Sequence, residues 1–475
     1  MLVGNIVFIK ESNGLDVALE RMKHMPSTAA VEAELRPRRK GRPRVSETAA
    51  PSLVEILNLV RTEQATTRQE IERQSELGRA VVADRLGTLS ELGLVDESEL
   101  GVATGGRAPR LVRFLSERGR ILVATLDQTA LGVGIANLGG DLLMEHHEAA
   151  DLTQPVSALC ERLVTLFRWI LDRQPGGPDL WGISISVPGA VPDGGETLFQ
   201  RATPPVLPGW ERFPLVETLA GTFDAPVWMR SSVETMTMGE LHAGAGISHR
   251  TMLFVKVGKR IGAGLVSDGV LYRGAQGAAG LIGSVPVSVG ERSGTLEAMA
   301  GSDHIAREGR AIAERGASEI LAEQLRRGGE VSAIDVANAA QMGDTAAIEI
   351  LSQSGRVIGQ VIATLANMLN PELIVLSGSI AQTNDILLAS AREAVYGASH
   401  PLVSRDLQIV RSQMGSSSGL VGAAMVATEG IFAPPMLRDW IMTGKPQAHP
   451  LFQQLKVRIA QEQPPRGRAV SPPEL

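Results

Sequence analysis

Two stretches decide the architecture: "ILVATLDQTALGVGIANLGGDLLME", residues 121–145, and "MLFVKVGKRIGAGLVSDGVLYRG", residues 252–274. Each reads as an apolar strand, a turn, a glycine-spaced strand, a second glycine turn and a third strand. Each is followed by helical segments and further apolar strands. A duplicated β-hairpin plus α/β unit predicts two similar lobes around a cleft. A ligand would be held between the lobes.

The chain of 475 residues is too long for one compact domain. With 44% hydrophobic and 21% charged residues it has the balance of a soluble globular protein. Aromatics make up only 3%, so the cores must be built from Val, Leu, Ile and Ala. The single cysteine, Cys160, excludes an internal disulfide framework and a multi-cysteine zinc site; no metal is expected. Cys160 lies in "VSALCERLVTLFRWIL", where apolar residues recur at helical spacing, and is expected to be a buried core thiol. No apolar run reaches the length of a membrane span. The opening "MLVGNIVFIK" lacks a basic region before its apolar stretch, which makes a poor signal peptide, so a cytoplasmic location is expected, with no membrane partner.

Charge is uneven along the chain. The net charge is −6, yet residues 36–120 carry 16 basic and 12 acidic side chains. A basic segment on an acidic body predicts an anionic partner for that segment alone. The densest run is "RPRRKGRPR", residues 36–44, interrupted by prolines and a glycine that forbid a helix. Its core, with Arg42 and Arg44, resembles an AT-hook, an extended Arg-Pro unit suited to a narrow minor groove. The plain alternative is a solvated linker that adds phosphate attraction only.

Beyond it, Leu53, Ile56, Leu57 and Val60 form one helical stripe. Thr67 and Glu70 are spaced as a capping box that opens a second, short helix. Val82, Leu86 and Leu89 face inward on a third. Three short helices followed by "DESELGVATGGRAPRLVRF", residues 96–114, predict a winged helix-turn-helix with a β-hairpin wing. Such a module places its third helix in the major groove of double-stranded DNA. The candidate DNA contacts are Arg79, Ala80, Ala83 and Asp84 on that helix, Arg107, Arg110 and Arg113 on or near the wing, and Arg42 and Arg44 on the arm.

In the body, "APVWMRSSVETMTMGE", residues 225–240, is a strand-to-helix corner that offers two serines and no acid or base. The duplicated body has the actin-like plan of sugar kinases. It resembles the ROK family (repressor, open reading frame, kinase) in "GISISVPGAV" at 182–191, "LPGW" at 207–210, "IGAGLVSDGVLYRGAQGAAG" at 261–280, "GTLE" at 294–297 and "NMLNPELIVLSGSIA" at 367–381. The resemblance implies a ribonuclease H-like α/β fold and dimerisation through the body. In ROK sugar kinases the corner carries Asn-Asp, the Asp being the general base. Matching on the shared Gly239-Glu240 puts Ser231 and Ser232 there, and a serine cannot accept the proton at neutral pH without a base of its own. The resemblance further implies losses at Leu281 and Ser284, where sugar and zinc ligands would stand, and at Thr295, the last zinc cysteine. The first phosphate loop has Thr125 and Asp127 in place of Asp-x-Gly, and Arg260 replaces a glycine of the second, beside Lys259. Glu297 survives as a sugar contact.

These observations predict four regions. They are a disordered tail at 1–48, a winged helix-turn-helix at 49–118, a two-lobed ROK domain at 119–433 and a mostly disordered tail at 434–475. The lobes are expected at about 119–240 and 241–420, with the last helix returning to the first lobe. The function expected is a DNA-binding transcriptional regulator, a repressor of carbohydrate-related genes, with no catalytic residue and no cofactor. Its body would form a homodimer or higher oligomer and could sense a sugar or sugar phosphate through Arg230, Ser231, Ser232 and Glu297. Arg230, Lys259 and Arg260 favour an anionic ligand. The alternatives are a sugar kinase with an appended DNA-binding module and a constitutive DNA-binding protein without an effector.

Overall fold

The computed structural model describes residues 49–101, 108–127, 130–150, 154–191 and 213–462. The arm with Arg42 and Arg44, the wing tip with Arg107, and "LPGW" lie outside the described residues.

The chain begins with three helices, α1 (Ala50–Arg61), α2 (Arg68–Ser75) and α3 (Arg79–Glu91). Leu53, Ile56 and Leu57 of α1, and Val82, Leu86 and Leu89 of α3, are fully buried against one another. The capping box at the start of α2 is formed, with the Thr67 amide donating to Glu70 Oε2 at 2.9 Å and the Glu70 amide donating to Thr67 Oγ1 at 3.3 Å. Strand β1 (Val95–Asp96) pairs antiparallel with β2 (Arg113–Phe114), and a bridge between Leu100 and Arg110 continues the ladder toward the tip. Three short helices are thus followed by a short antiparallel strand pair.

The first lobe follows as β3 (Arg120–Leu126), β4 (Ala130–Asn137), β5 (Leu142–Ala149), α4 (Val156–Asp172), β6 (Leu180–Val187), α5 (Leu215–Phe223), β7 (Val227–Ser231) and α6 (Ser232–Ala243). Its sheet order is β5-β4-β3-β6-β7. The second lobe opens with β8 (Met252–Val257), β9 (Ile261–Ser267) and β10 (Val270–Tyr272), then a small hairpin of β11 (Pro286–Val289) and β12 (Arg292–Thr295). Helices α7 (Leu296–Ala300), α8 (Ser302–Glu314), α9 (Glu319–Arg326), α10 (Ala333–Gln341) and α11 (Thr345–Leu369) lead to β13 (Leu373–Ser377). Helices α12 (Ser379–Thr383), α13 (Ile386–Ala398) and α14 (Pro401–Ser404) then lead to β14 (Gln408–Arg411). Its sheet order is β10-β9-β8-β13-β14. In both sheets the first three strands are antiparallel and the last two add in parallel, so the duplication seen in the sequence is a duplication of topology.

Helix α4 buries Cys160 with Leu163, Phe167 and Ile170 on one face of the first sheet. Burial pushes the Cys160 thiol up to about 11, so it behaves as an inert core group. Helix α15 (Ser417–Phe432) returns to the opposite face of that sheet and packs on α6. The two helices touch backbone to backbone: a Cβ on Gly422 would lie 1.6 Å from the Thr235 carbonyl oxygen, and one on Gly239 2.0 Å from that of Ser418. Among the described residues no single helix is long and apolar enough to cross a membrane.

The expectation of a mostly disordered tail from 434 is corrected. Residues 434–462 form α16 (Pro434–Ile441), a short 3-10 turn and α17 (Pro450–Glu462). Leu437, Trp440, Ile441 and Phe452 are fully buried. Trp440 stands edge-on to Trp181 and Phe432, and its indole N–H donates to the Ile431 carbonyl at 2.8 Å. The prolines that suggested disorder open these elements instead, with Pro434, Pro446 and Pro450 at or near the first position, where a missing N–H is harmless.

Candidate functional site

The basic end of the molecule is built on α3. Gly78 precedes the helix in an extended conformation and offers no side-chain cap, so the first turn starts with Arg79 and Ala80 exposed. No carboxylate among the described residues pairs with Arg79. Ala83 is half-buried, so it presents less surface than the sequence suggested. Asp84 pairs with the adjacent Arg85, whose Nε donates to Ser52 Oγ at 2.8 Å on α1. On the wing, Arg110 and Arg113 are both exposed. Arg113 stands in register with Asp96. The Asp96 carboxyl is held below its usual range by the Ser98 hydroxyl first, with Arg113 adding to the effect. Arg68 of α2 makes two hydrogen bonds to Glu97, at 2.6 and 2.7 Å, and so ties the wing base to the helices. Of the candidate contacts, Arg79 and Arg110 are thus exposed cations with no carboxylate partner among the described residues.

The corner between β7 and α6 is a second center of polar side chains. Ser231 is the N-cap of α6, and its amide donates to Glu234 Oε2 at 3.2 Å. Glu234 Oε1 accepts from Arg273 Nε at 2.7 Å, and Arg273 Nη2 donates to the Val191 carbonyl at 2.9 Å. Both side chains are largely buried, 9% exposed for Glu234 and 14% for Arg273. Ser232 is buried, and its carbonyl accepts from the Thr235 hydroxyl at 3.0 Å. Glu234 at this corner therefore serves as a cap and an ion-pair partner. Glu234 went unnoticed in the sequence, although Ser231-x-x-Glu234 has the spacing of a capping box.

The surviving family positions have also acquired structural partners. Arg260 Nη1 donates to Glu297 Oε1 at 2.7 Å, and Lys259 Nζ lies 3.9 Å from Asp303. The expected pull of Lys259 and Arg260 on an anion is thereby offset. Arg230 lines a cavity bounded by β7 and β10, and Glu297 is not part of its lining. Asp127, at the end of β3, accepts from Lys256 Nζ of β8 at 2.9 Å, an ion pair between the two lobes. Thr295 Oγ1 accepts from the Ala298 amide at 3.3 Å and caps α7. Gly262 and Gly264 make room for α6: Cβ atoms there would lie 2.9 Å from Val233 and 1.8 Å from Thr237 Oγ1.

The model of the ROK family matches residues 128–429. A xylose repressor of Bacillus spizizenii is 22% identical over 371 residues, covering 76% of this chain and 91% of the repressor. The DNA-binding transcriptional dual regulator NagC of Escherichia coli is 26% identical, covering 76% and 88%. A glucokinase of Halalkalibacterium halodurans is 29% identical over 263 residues, covering 53% and 77%. Among solved structures, a ROK family transcriptional regulator, a homologue of the E. coli MLC protein, superposes with a TM-score of 0.66 at 21% identity, covering 87% of this chain and all of that one. A ROK family glucokinase from Streptomyces griseus, in complex with glucose and AMPPNP, gives 0.53 at 23% identity over 65% and 98%. With the family matched across 128–429, well over half of its length, the chain belongs to the ROK family.

Proposed function

We propose that this protein is a DNA-binding transcriptional repressor of carbohydrate-related genes, with a body that has given up sugar phosphorylation. The observation that carries the reading is the corner. At the place of the family's catalytic Asp stands Ser232, and the carboxylate two residues on, Glu234, is committed to the Ser231 amide and Arg273. Phosphoryl transfer needs a base, a positioned hydroxyl and a phosphate cradle together. Here the remaining glycines of the second loop serve helix packing, and Asp127 carries a negative charge where a phosphate would sit.

The DNA-binding part of the reading rests on the winged helix with Arg79 exposed at the start of α3 and Arg110 on the wing. Each protomer offers one recognition helix, so a homodimer would read a two-fold-related site. The relatives named as xylose repressor and NagC make a sugar or sugar phosphate the first effector to try, with Arg230, Ser231, Ser232 and Glu297 as candidate contacts. Genome-wide mapping of bound sites, followed by binding of the recovered sequence with and without sugars, tests the reading. A sequence-specific site near carbohydrate genes is expected. Sequence-independent binding, or ATP-dependent phosphorylation of a hexose, would overturn it.

A further inference from the structure

The lobes are joined twice. The chain crosses from the first to the second through residues 244–251, between α6 and β8, and returns through 412–416, between β14 and α15. Both crossings meet at Glu240, which is fully buried in the last turn of α6. Its Oε2 accepts from the Ala245 amide at 2.9 Å on the first crossing, and its Oε1 accepts from the Ser412 hydroxyl on the second. Ser412 is itself tied to the second sheet, its amide donating to the Leu376 carbonyl at 2.8 Å. The Glu240 carbonyl takes the Gly244 and Gly246 amides at 3.1 and 2.9 Å. A side chain at residue 244 would collide with the carboxylate, since a Cβ there would lie 2.2 Å from Oε2. Glu240 thus pins the two crossings to each other.

Two ion pairs span the lobes near the carboxyl ends of the strands, the side on which α/β clefts open. Lys256 of β8 donates to Asp127, which follows β3, and the lysine side chain is largely buried. Arg273, which follows β10, donates both to Glu234 in the first turn of α6 and to the carbonyl of Val191, beyond β6. Gly277, at φ +63°, lets the same loop lie against that carbonyl, where a Cβ would come within 2.4 Å. Arg273 therefore holds two elements of the first lobe at once. Charge-assisted bonds in a largely buried setting are directional, and removing one partner strands the other charge. We propose that closure of this cleft is set by the chain's own charges: Lys256 with Asp127 and Arg273 with Glu234 are two clasps across the lobes, and Glu240 is the pin about which they separate. A group that takes Glu234 from Arg273, or Lys256 from Asp127, releases a clasp, so occupancy of the corner and separation of the lobes are linked. The inference rests on the two lobes and does not depend on the DNA-binding reading.

The test is the distance between the lobes in the full chain. Cys160, the one cysteine, is buried, so spin labels can be placed selectively on Thr165→Cys in the first lobe and Glu393→Cys in the second, both exposed positions. Pulsed electron resonance, with the labelled protein diluted into unlabelled chain, reads their separation. The labelled parent should give one narrow distribution. Lys256→Met and Arg273→Gln should each add a longer distance, and together should make it the main one. Asp127→Lys with Lys256→Glu should return the narrow distribution. Ser412→Ala, at the pin, should broaden it without adding the longer distance. Thermal melts check that each variant is folded; if Arg273→Gln is not, Glu234→Gln releases the same clasp and keeps an acceptor for the Ser231 amide. An unchanged distribution with both clasps removed from a folded protein, or a folded charge swap no narrower than Lys256→Met, would overturn the proposal.

Discussion

Arg61 of the three-helix unit grips Glu429 of the body through two hydrogen bonds, Nη1 to Oε1 at 2.9 Å and Nη2 to Oε2 at 3.1 Å. The Arg61 guanidinium also lies 5.4 Å from the center of the Phe432 ring, and Asn58 Nδ2 donates to the Phe432 carbonyl at 3.2 Å. Arg61 is 8% exposed and Glu429 51%, so the pair is half in water. Helix α15 thus begins over Gly419 and Gly422, beside α6 of the corner, and ends against α1 of the three-helix unit. One rigid element joins the two candidate sites.

A double-mutant cycle with Arg61→Ala and Glu429→Ala should give a coupling of about 1 kcal/mol, the upper range for a solvent-screened pair. Chemical unfolding of the four proteins measures it. A coupling of zero would mean that the stacking on Phe432, not the ion pair, holds the joint.

Arg79→Ala should cost about 1–3 kcal/mol on the specific DNA site, because the exposed guanidinium at the start of α3 is placed for a bidentate base contact. Affinity for random DNA should fall much less. Equal losses on both would reassign Arg79 to phosphate contact.

Deleting residues 1–44 should lower DNA affinity and flatten its salt dependence, since the arm's cations leave with it. A larger loss on A·T-rich than on G·C-rich flanks would support minor-groove reading by Arg42 and Arg44. Equal losses would reduce the arm to an electrostatic linker.

Ser231→Asn with Ser232→Asp should not create hexose phosphorylation. A base alone does not suffice while Arg260 is paired with Glu297 and Asp127 with Lys256, so that neither sugar nor phosphate is positioned. An ADP-release assay with glucose and N-acetylglucosamine checks this, and turnover would show that the site is closer to activity than its partners indicate.

Thermal stability should fall as pH drops below about 6.5. Burial holds the His449 imidazole below that ordinary value, with Asp439 opposing the shift. Its Nδ1 accepts from the Leu451 amide at 3.2 Å, which fits a neutral ring with the proton on Nε2 toward Asp439. Between the lowered folded value and 6.5 the unfolded chain binds the proton and the folded chain does not, so protonation favours unfolding. His304, also buried and lowered, acts in the same direction. Calorimetry from pH 7.5 to 5.5 should show the decline, and His449→Gln should shallow it.

Much of the fold was legible because periodicity reports burial directly. The α1 stripe, the Thr67–Glu70 box and the two glycine-spaced strand triplets are local patterns, and local patterns survive folding. That Ser232 offers no carboxylate was equally legible, since no conformation turns a serine into a base. What only the tertiary structure decided is who meets whom. Glu234 finds Arg273 from 39 positions away, Asp127 finds Lys256 across the lobes, and Arg61 finds Glu429 at the far end of the chain. The helices after Pro434 are held by Trp181 from a distant strand as well as by Phe432 of the preceding helix, so composition alone reads that segment as a disordered tail. Charge pairing and side-chain burial act through space over a few ångströms, and sequence separation carries no record of which side chains come within that reach.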